Sequence, residues 1–389
     1  MLKFTRQGIS FAIFACLLAF AGIANAQSSA GSFAVGERDI TFTDNGLQTP
    51  SVATHVWYPG TGSGTGVPVA AGTFPVIALG HGFNLNYLDY GQICSHLASW
   101  GYIVISPNVQ NGFNVSHLEF AKELGACLNY FQLEGANNAS DFFQHVDTMT
   151  GVCGHSMGGG ASCLVPGVYP QIDAVSGFAP AETNPSAISA LPAYSGPYQV
   201  ISGSSDNTAP ENTNQTPMYN AAPGTKQWVS ITGGAHCKFT DGATICDLVS
   251  SAGSVTRAAQ INLTKRYVTA FFNYNLKNDA NALTFLCGDS LQADVTAGKV
   301  SSQTTFVCTV ATAPSFADDH CWNVSPNPFG GQVRVEGTGG FRIVNALGSV
   351  VFQGYSEEKA TEIDLSGLPK GIYFLNAEGK SCRRVLVRQ

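Results

Sequence analysis

The chain has 389 residues, of which only 12% are charged, a net charge of −7 and 11 cysteines. Soluble domains usually carry roughly 25% charged residues, and the clustered Lys and Arg that nucleic acid requires are absent, so nucleic acid is excluded as a partner. The length predicts two or three domains.

Met1 to Arg6 is a positive start, followed by an apolar run from about Ile9 to Ile23 and then Ala24-Asn25-Ala26. This pattern predicts a secretory signal peptide over residues 1–26, because the run is too short for a membrane span and ends in small residues. Residues 33–58 read as two strands, and Gly60 to Gly72 as a surface loop. Phe74 to Leu79 reads as a buried strand leading into Gly80-His81-Gly82-Phe83, Tyr87 to Trp100 as a helix, and Tyr102 to Ser106 as another buried strand. Ser116 to Leu133 and residues 257–277 read as helices, the second turning Phe271, Phe272 and Leu276 toward a sheet. Strands alternating with helices predict a mostly parallel, doubly wound sheet.

Within that series stands Gly154-His155-Ser156-Met157-Gly158, preceded by the apolar stretch Met149 to Cys153 and followed by Gly159-Gly160-Ala161. A G-x-S-x-G pattern between strand and helix predicts a serine held on a strained turn, with glycines where a β-carbon would collide with neighbouring backbone. Such a serine needs a base, and the base needs an orienting carboxylate. In the fold that carries this elbow, the chain order is Ser, then the acid, then His. Only His236 and His320 follow Ser156, and His320 lies beyond the expected end of the domain. His236 comes just after the strand-like Gln227 to Thr232 and Gly233-Gly234. Between Ser156 and His236 the carboxylates are Asp173, Glu182, Asp206 and Glu211. Asp173 precedes its strand; Asp206 follows the strand Tyr198 to Ser202, at the end where this architecture binds ligands. Ser156, Asp206 and His236 are therefore the expected nucleophile, acid and base. The backbone N–H groups of Met157 and Phe83 are the expected oxyanion donors, and His81 is read as a structural loop residue. This chemistry needs no cofactor, and no CxxC pair suggests a metal.

Over about residues 33 to 310 the chain resembles the bacterial cutinases and poly(ethylene terephthalate) hydrolases of the α/β-hydrolase fold, with dienelactone hydrolases as a wider circle. The resemblance rests on Ala53 to Pro59, His81-Gly82-Phe83, Leu97 to Ile105, Ser156 to Gly160, Asp206 to Pro210 and Gly233 to His236. It implies the same Ser156, Asp206 and His236, and an ester substrate of polymeric or lipid-like kind. It also implies a disulfide between Cys287 and Cys308. Two positions depart from the family: His155 stands where these polyesterases usually have Trp, and Ala181 where they place a substrate-facing Trp. Phe83, Phe178 and Ala181 are the expected substrate-binding residues. Without the stacking ring, short to medium acyl esters are expected to be better substrates than aromatic polyester. A Gly-His-Ser elbow also resembles chlorophyllase-type and lipase-type esterases. An inactive fold acting as a surface binding protein is the alternative of another class, disfavoured by the intact Ser, Asp and His.

Outside the leader, 10 cysteines remain, an even number in an exported chain, so disulfides are expected while their connectivity stays open. Cys237 and Cys246 bracket the loop after His236 and could stiffen it; Cys153, on the strand before the nucleophile, reads as a packed free thiol.

Residues 311–321 read as a linker. Beyond it lie the short strands Gln332 to Glu336, Phe341 to Asn345, Ser349 to Phe352, Ile372 to Leu375 and Arg384 to Val387, the pattern of a small Ig-like β-sandwich. Ser325-Pro326-Asn327-Pro328-Phe329, Asn345 to Gly348, Ile363 to Pro369 and Gly371-Ile372-Tyr373 resemble the C-terminal sorting domain of type IX secretion cargo. The expected organisation is thus a signal peptide (1–26), an α/β-hydrolase domain (27–310), a linker (311–321) and a sorting sandwich (322–389). The resemblance implies that secretion machinery is a partner and that the protein is secreted or held at the cell surface; a monomer is expected.

Overall fold

The computed structural model describes residues 26–248, 250–308, 322–345, 349–357, 360–377 and 383–388. The expected leader, apart from Ala26, and the expected linker lie outside these residues. The chain divides into two compact units, Met1–Cys308 and Thr309–Gln389.

The first unit is built on a ten-stranded sheet. Its strands are β1 (Ala34–Thr43), β2 (Ser51–Gly60), β3 (Gly64–Thr65), β4 (Phe74–Gly80), β5 (Ile103–Pro107), β6 (Val146–His155), β7 (Ala174–Phe178), β8 (Tyr198–Gly203), β9 (Lys226–Ile231) and β10 (Val300–Thr304). They lie in the order β10-β9-β8-β7-β6-β4-β5-β2-β1-β3. The six from β5 across to β9 run parallel, while β2 and β10 are antiparallel to their neighbours β5 and β9. Every residue of β4, β5, β7 and β8 is buried, as a parallel sheet covered by helices on both faces requires. One face packs on the helices His117–Ala136 and Met157–Val168, with Phe120, Leu124, Phe131 and Leu164 in its core. The other packs on Gly91–Ser99 and Arg257–Lys277, where Phe271, Phe272 and Leu276 are buried as their spacing predicts. This is the α/β-hydrolase architecture. From β4 the chain steps to β5 on one side and to β6 on the other, so the crevice at the carboxyl ends of β4 and β6 is the switch point where such sheets bind ligands.

The sequence reading missed β10. Its residues Val-Ser-Ser-Gln-Thr bury only the first, Val300, so the strand is held by its ladder to β9 rather than by an apolar pattern.

The helix His117–Ala136 buries two carboxylates one turn apart, Glu119 and Glu123, each 1% exposed. Glu119 pairs with Lys122 at 3.2 Å, whereas Glu123 receives one bond, from Gln110 Nε2 at 3.1 Å. Burial, and secondarily the neighbouring Glu119, push the Glu123 carboxyl up to about 7 against the bond from Gln110. Between the pKa of the unfolded carboxyl and about 7, the folded chain keeps a proton that the unfolded chain has released. Stability from this site is therefore present at low pH and lost as the pH rises through that window. Glu123→Gln is expected to raise Tm at pH 8 and leave it nearly unchanged at pH 5, with a gain of about 1–3 kcal/mol at the higher pH. Thermal melts of both proteins at the two pH values check this, and an equal shift at both would contradict it.

The second unit is a sandwich of two antiparallel sheets. One holds β11 (Asn323–Ser325), β12 (Gln332–Glu336) and β15 (Thr361–Asp364); the other holds β13 (Gly339–Asn345), β14 (Val350–Ser356), β16 (Gly371–Ala377) and β17 (Arg383–Arg388). β12 alternates exposed and buried residues, with Val333 and Val335 turned inward, the mark of a sheet with one wet face. Trp322, Phe341, Ile343, Ile363, Leu375 and Leu386 form the core between the sheets.

Candidate active site

Ser156 lies between β6 and the helix Met157–Val168 with φ 55° and ψ −118°, a conformation few non-glycine residues adopt. The flanking glycines make room for it. A β-carbon on Gly158 would lie 2.2 Å from the Gly80 carbonyl oxygen, and one on Gly154 would lie 2.5 Å from the Gly158 backbone. The helix therefore presses directly on the ends of β4 and β6. The turn is closed by Ser156 N donating to Phe178 O at 2.9 Å and by Ala181 N donating to Ser156 O at 3.0 Å.

His236 comes from the loop after β9. Its Nε2 lies 2.8 Å from Ser156 Oγ, and its Nδ1 lies 2.6 Å from Asp206 Oδ2. Asp206 follows β8, and its other carboxylate oxygen accepts the backbone N–H groups of Thr208 and Ala209, both at 2.8 Å. That pair of bonds fixes the carboxylate rotamer. The imidazole side chain is 2% exposed and the Asp206 side chain 0%. The loop carrying His236 is clamped on both sides. Gln260, fully buried on the long helix, accepts from Ala235 N at 3.0 Å and donates to Ala235 O at 2.8 Å. Beyond the imidazole a disulfide joins Cys237 to Cys246, and Arg257 donates to the Thr240 carbonyl at 2.9 Å and to Asp247 at 2.6 Å.

Met157 is the first residue of its helix, so its amide is one of the N–H groups that a helix terminus leaves unpaired, and it follows the serine directly. Phe83 follows Gly82 on the loop after β4 and is 45% exposed. A cleft of about 280 Å³ opens over Ser156 and His236, with Phe83, Leu85, Phe113 and Ile245 among its walls. The Phe83 and Phe113 rings meet edge to face, with centroids 6.0 Å apart. Among the described residues no group of three or more His, Cys, Asp or Glu side chains could hold a metal ion.

The structure thus brings Ser156, His236 and Asp206 into one hydrogen-bonded line, with Met157 and Phe83 beside the serine. The other two expected binding residues, Phe178 and Ala181, lie at the end of β7 and just beyond it. Phe178 is fully buried at the end of β7, stacked on Phe239 at 6.3 Å. Ala181 is spent on the backbone of the elbow, where its amide holds Ser156 and its carbonyl lies against Gly160. Phe178 thus meets the core rather than the cleft, because its ring is packed at the end of β7, while Ala181 is half-buried beside the elbow. The ring that does stand beside Phe83 is Phe113, on the loop after β5. Its place at the carboxyl edge of the sheet was the available signal.

The model of the family described as PET hydrolase-like matches residues 22–308. The chain belongs to that family. Residues 323–387 match the secretion system C-terminal sorting domain, so the tail marks this PET hydrolase-like protein for secretion. Among curated relatives, Cutinase 1 of Thermobifida cellulosilytica is 25% identical over 215 residues, 54% of this chain and 74% of that protein. A cutinase of Thermobifida fusca (strain YX) is 25% identical over the same length, 64% of that protein. Chlorophyllase-1 of Arabidopsis thaliana is 28% identical over 92 residues, 24% of this chain, and the match spans 28% of the chlorophyllase. The pair Cys287–Cys308, implied by the resemblance, is a disulfide in the structure, as is Cys237–Cys246. Cys94, Cys127, Cys153 and Cys163 are buried free thiols, and burial raises the Cys153 thiol far above its ordinary value.

Proposed function

We propose that this PET hydrolase-like protein is an exported serine carboxylester hydrolase that works through an acyl-enzyme. The observation that carries the reading is the line Ser156 Oγ, His236 Nε2, His236 Nδ1, Asp206 Oδ2, with contacts of 2.8 and 2.6 Å at the floor of an apolar cleft. Ser156 Oγ attacks the ester carbonyl carbon as its proton passes to His236 Nε2. The charge that develops on the carbonyl oxygen is received by the N–H groups of Met157 and Phe83. The imidazolium returns its proton to the departing alcohol. Water, deprotonated by the same nitrogen, then releases the acid. Asp206 holds the tautomer that leaves Nε2 free to accept. A fluorophosphonate probe should form a single adduct at Ser156, located by peptide mass spectrometry, and the Ser156→Ala protein should take up none. Labelling elsewhere, with p-nitrophenyl ester turnover intact in Ser156→Ala, would overturn the reading.

The cleft over Ser156 is lined mainly by apolar side chains, among them Phe83, Leu85, Phe113 and Ile245, which suits an acyl chain. Short to medium acyl esters are the proposed substrates. Phe113→Ala should raise KM for a p-nitrophenyl ester of six or more carbons by about 2- to 10-fold, the worth of one aromatic contact, and leave turnover of the acetate near wild type. Equal losses on both esters would place Phe113 outside the acyl site.

Export is proposed to use the leader and the sorting domain in turn. Intact mass of the protein recovered from the medium should correspond to a chain that begins near Gln27 and lacks most of residues 322–389. A full-length C-terminus there would instead favour a binding role for the sandwich.

A further inference from the structure

We propose that Tyr90 and His155 are positioning residues, forming a one-directional hydrogen-bond relay that holds the oxyanion loop and the base loop in register across the nucleophile elbow. Tyr90 closes the short helical turn Tyr87–Tyr90 after the oxyanion loop, and His155 is the last residue of β6; both are fully buried. Tyr90 Oη lies 3.0 Å from Gly82 N and 2.8 Å from His155 Nδ1, and His155 Nε2 lies 3.0 Å from the carbonyl oxygen of His236.

The two ends of this chain are backbone groups, so they dictate where each proton sits. Gly82 N–H can only donate, and Tyr90 Oη therefore accepts it. The His236 carbonyl can only accept, and His155 Nε2 therefore carries the proton. A neutral imidazole with Nε2–H has a lone pair at Nδ1, which takes the Tyr90 O–H. Each group has one partner on each side, and the tautomer has no freedom. Burial, and secondarily the nearby His236, hold His155 well below the ordinary imidazole value. Burial also keeps the Tyr90 phenol protonated.

Each end of the relay touches a different part of the reaction. At one end, Gly82 is packed so closely that a β-carbon would lie 3.1 Å from both His155 Nδ1 and Tyr90 Oη. The Gly82 carbonyl shares a peptide plane with the Phe83 N–H, and Leu85 N holds it at 3.1 Å. The aim of the Phe83 amide is therefore set by groups on either side of Gly82. At the other end, the relay grips the backbone of the base itself, and the His155 and His236 rings lie 4.8 Å apart. Because His155 stays neutral, it adds no positive charge beside His236 when that ring takes the serine proton. A displacement of about 1 Å at either end is enough to cost on the order of 10²-fold in rate.

This inference rests on the reading of Ser156 and His236 as nucleophile and base. The test uses the mature protein and its Tyr90→Phe, His155→Phe, His155→Gln and Ser156→Ala variants, with p-nitrophenyl butyrate as substrate well below Tm. Tyr90→Phe and His155→Phe are expected to lower kcat by about 10- to 100-fold with KM within about threefold, because positioning acts on the transition state. His155→Gln, which can still donate to the His236 carbonyl, should recover most of the loss. Independently of any variant, two-bond proton–nitrogen spectra of histidine-labelled wild type should show His155 as the neutral Nε2–H tautomer across pH 6 to 8. An Nδ1–H tautomer or an imidazolium in that range overturns the relay, and so does unchanged kcat in both phenylalanine variants while Ser156→Ala is inactive. Turnover retained by Ser156→Ala would instead remove the reading beneath it.

Discussion

Replacing Ser156 or His236 with alanine is expected to lower ester turnover by roughly 10⁶-fold, and Asp206→Asn by about 10⁴-fold. The difference in size follows from the geometry. In the proposed mechanism Ser156 and His236 each form or break a bond, whereas Asp206, 2.6 Å from Nδ1, holds the tautomer. Asn at that position can offer its N–H to Nδ1, which would leave the proton on Nε2, the wrong nitrogen for a base. The effects should not add. Once Ser156 is gone, removing His236 as well should cost less than about tenfold more, because the three groups act as a unit. In the proposed mechanism the residual rate is what the Met157 and Phe83 amides, which remain, would still supply. Initial rates on p-nitrophenyl butyrate, with thermal melts in parallel, check this series. A His236→Ala protein within tenfold of wild type would show that another group serves as base.

The largest stability effect is expected away from the site. Arg266, on the helix Arg257–Lys277, and Asp294 form an ion pair, the side chains 5% and 2% exposed. Asp294 also accepts from Tyr267 at 3.0 Å and from the half-exposed Lys299 at 3.0 Å. Arg266→Met removes the buried partner and leaves a carboxylate whose remaining ion-pair partner among the described residues is the half-exposed Lys299. Breaking a buried pair from one side costs about 3–5 kcal/mol, which for a domain of this size is a fall in Tm of roughly 5–9 °C. Arg266→Met combined with Asp294→Leu should recover much of the loss, since the penalty is the stranded charge rather than the missing bond. Calorimetry of the two variants decides it: a double variant no more stable than Arg266→Met would mean that the pair contributes by its packing and not by its charge.

Most of the fold was legible because its strands are either continuously apolar, like Val76 to Leu79, or strictly alternating, like Gln332 to Glu336, and because glycine and proline punctuate the turns. The strand Val300–Thr304 was not legible: an edge strand needs one buried side and a partner's backbone, and a polar sequence supplies neither as a pattern. That Ser156, His236 and Asp206 meet in one hydrogen-bonded line was legible because the elbow signature fixes one position and the chain order leaves few candidates for the other two. The cleft wall was not legible in the same way. Phe178 and Ala181 stand near the site in sequence, yet one is core and the other holds the elbow, while Phe113 and Ile245 come from distant loops.

By itself, then, the sequence determined the doubly wound sheet, the β-sandwich tail, the strained serine and the small set of groups able to serve it, because periodicity, glycine spacing and residue order are local properties of the chain. The tertiary structure alone decided which aromatic rings face the cleft, which buried carboxylates are paired, and that Tyr90 links Gly82 to His155 and His236. Those facts depend on side chains from separate loops arriving within about 3 Å of one another, the range of a hydrogen bond, and distances of that kind are set by how the elements pack, not by their order.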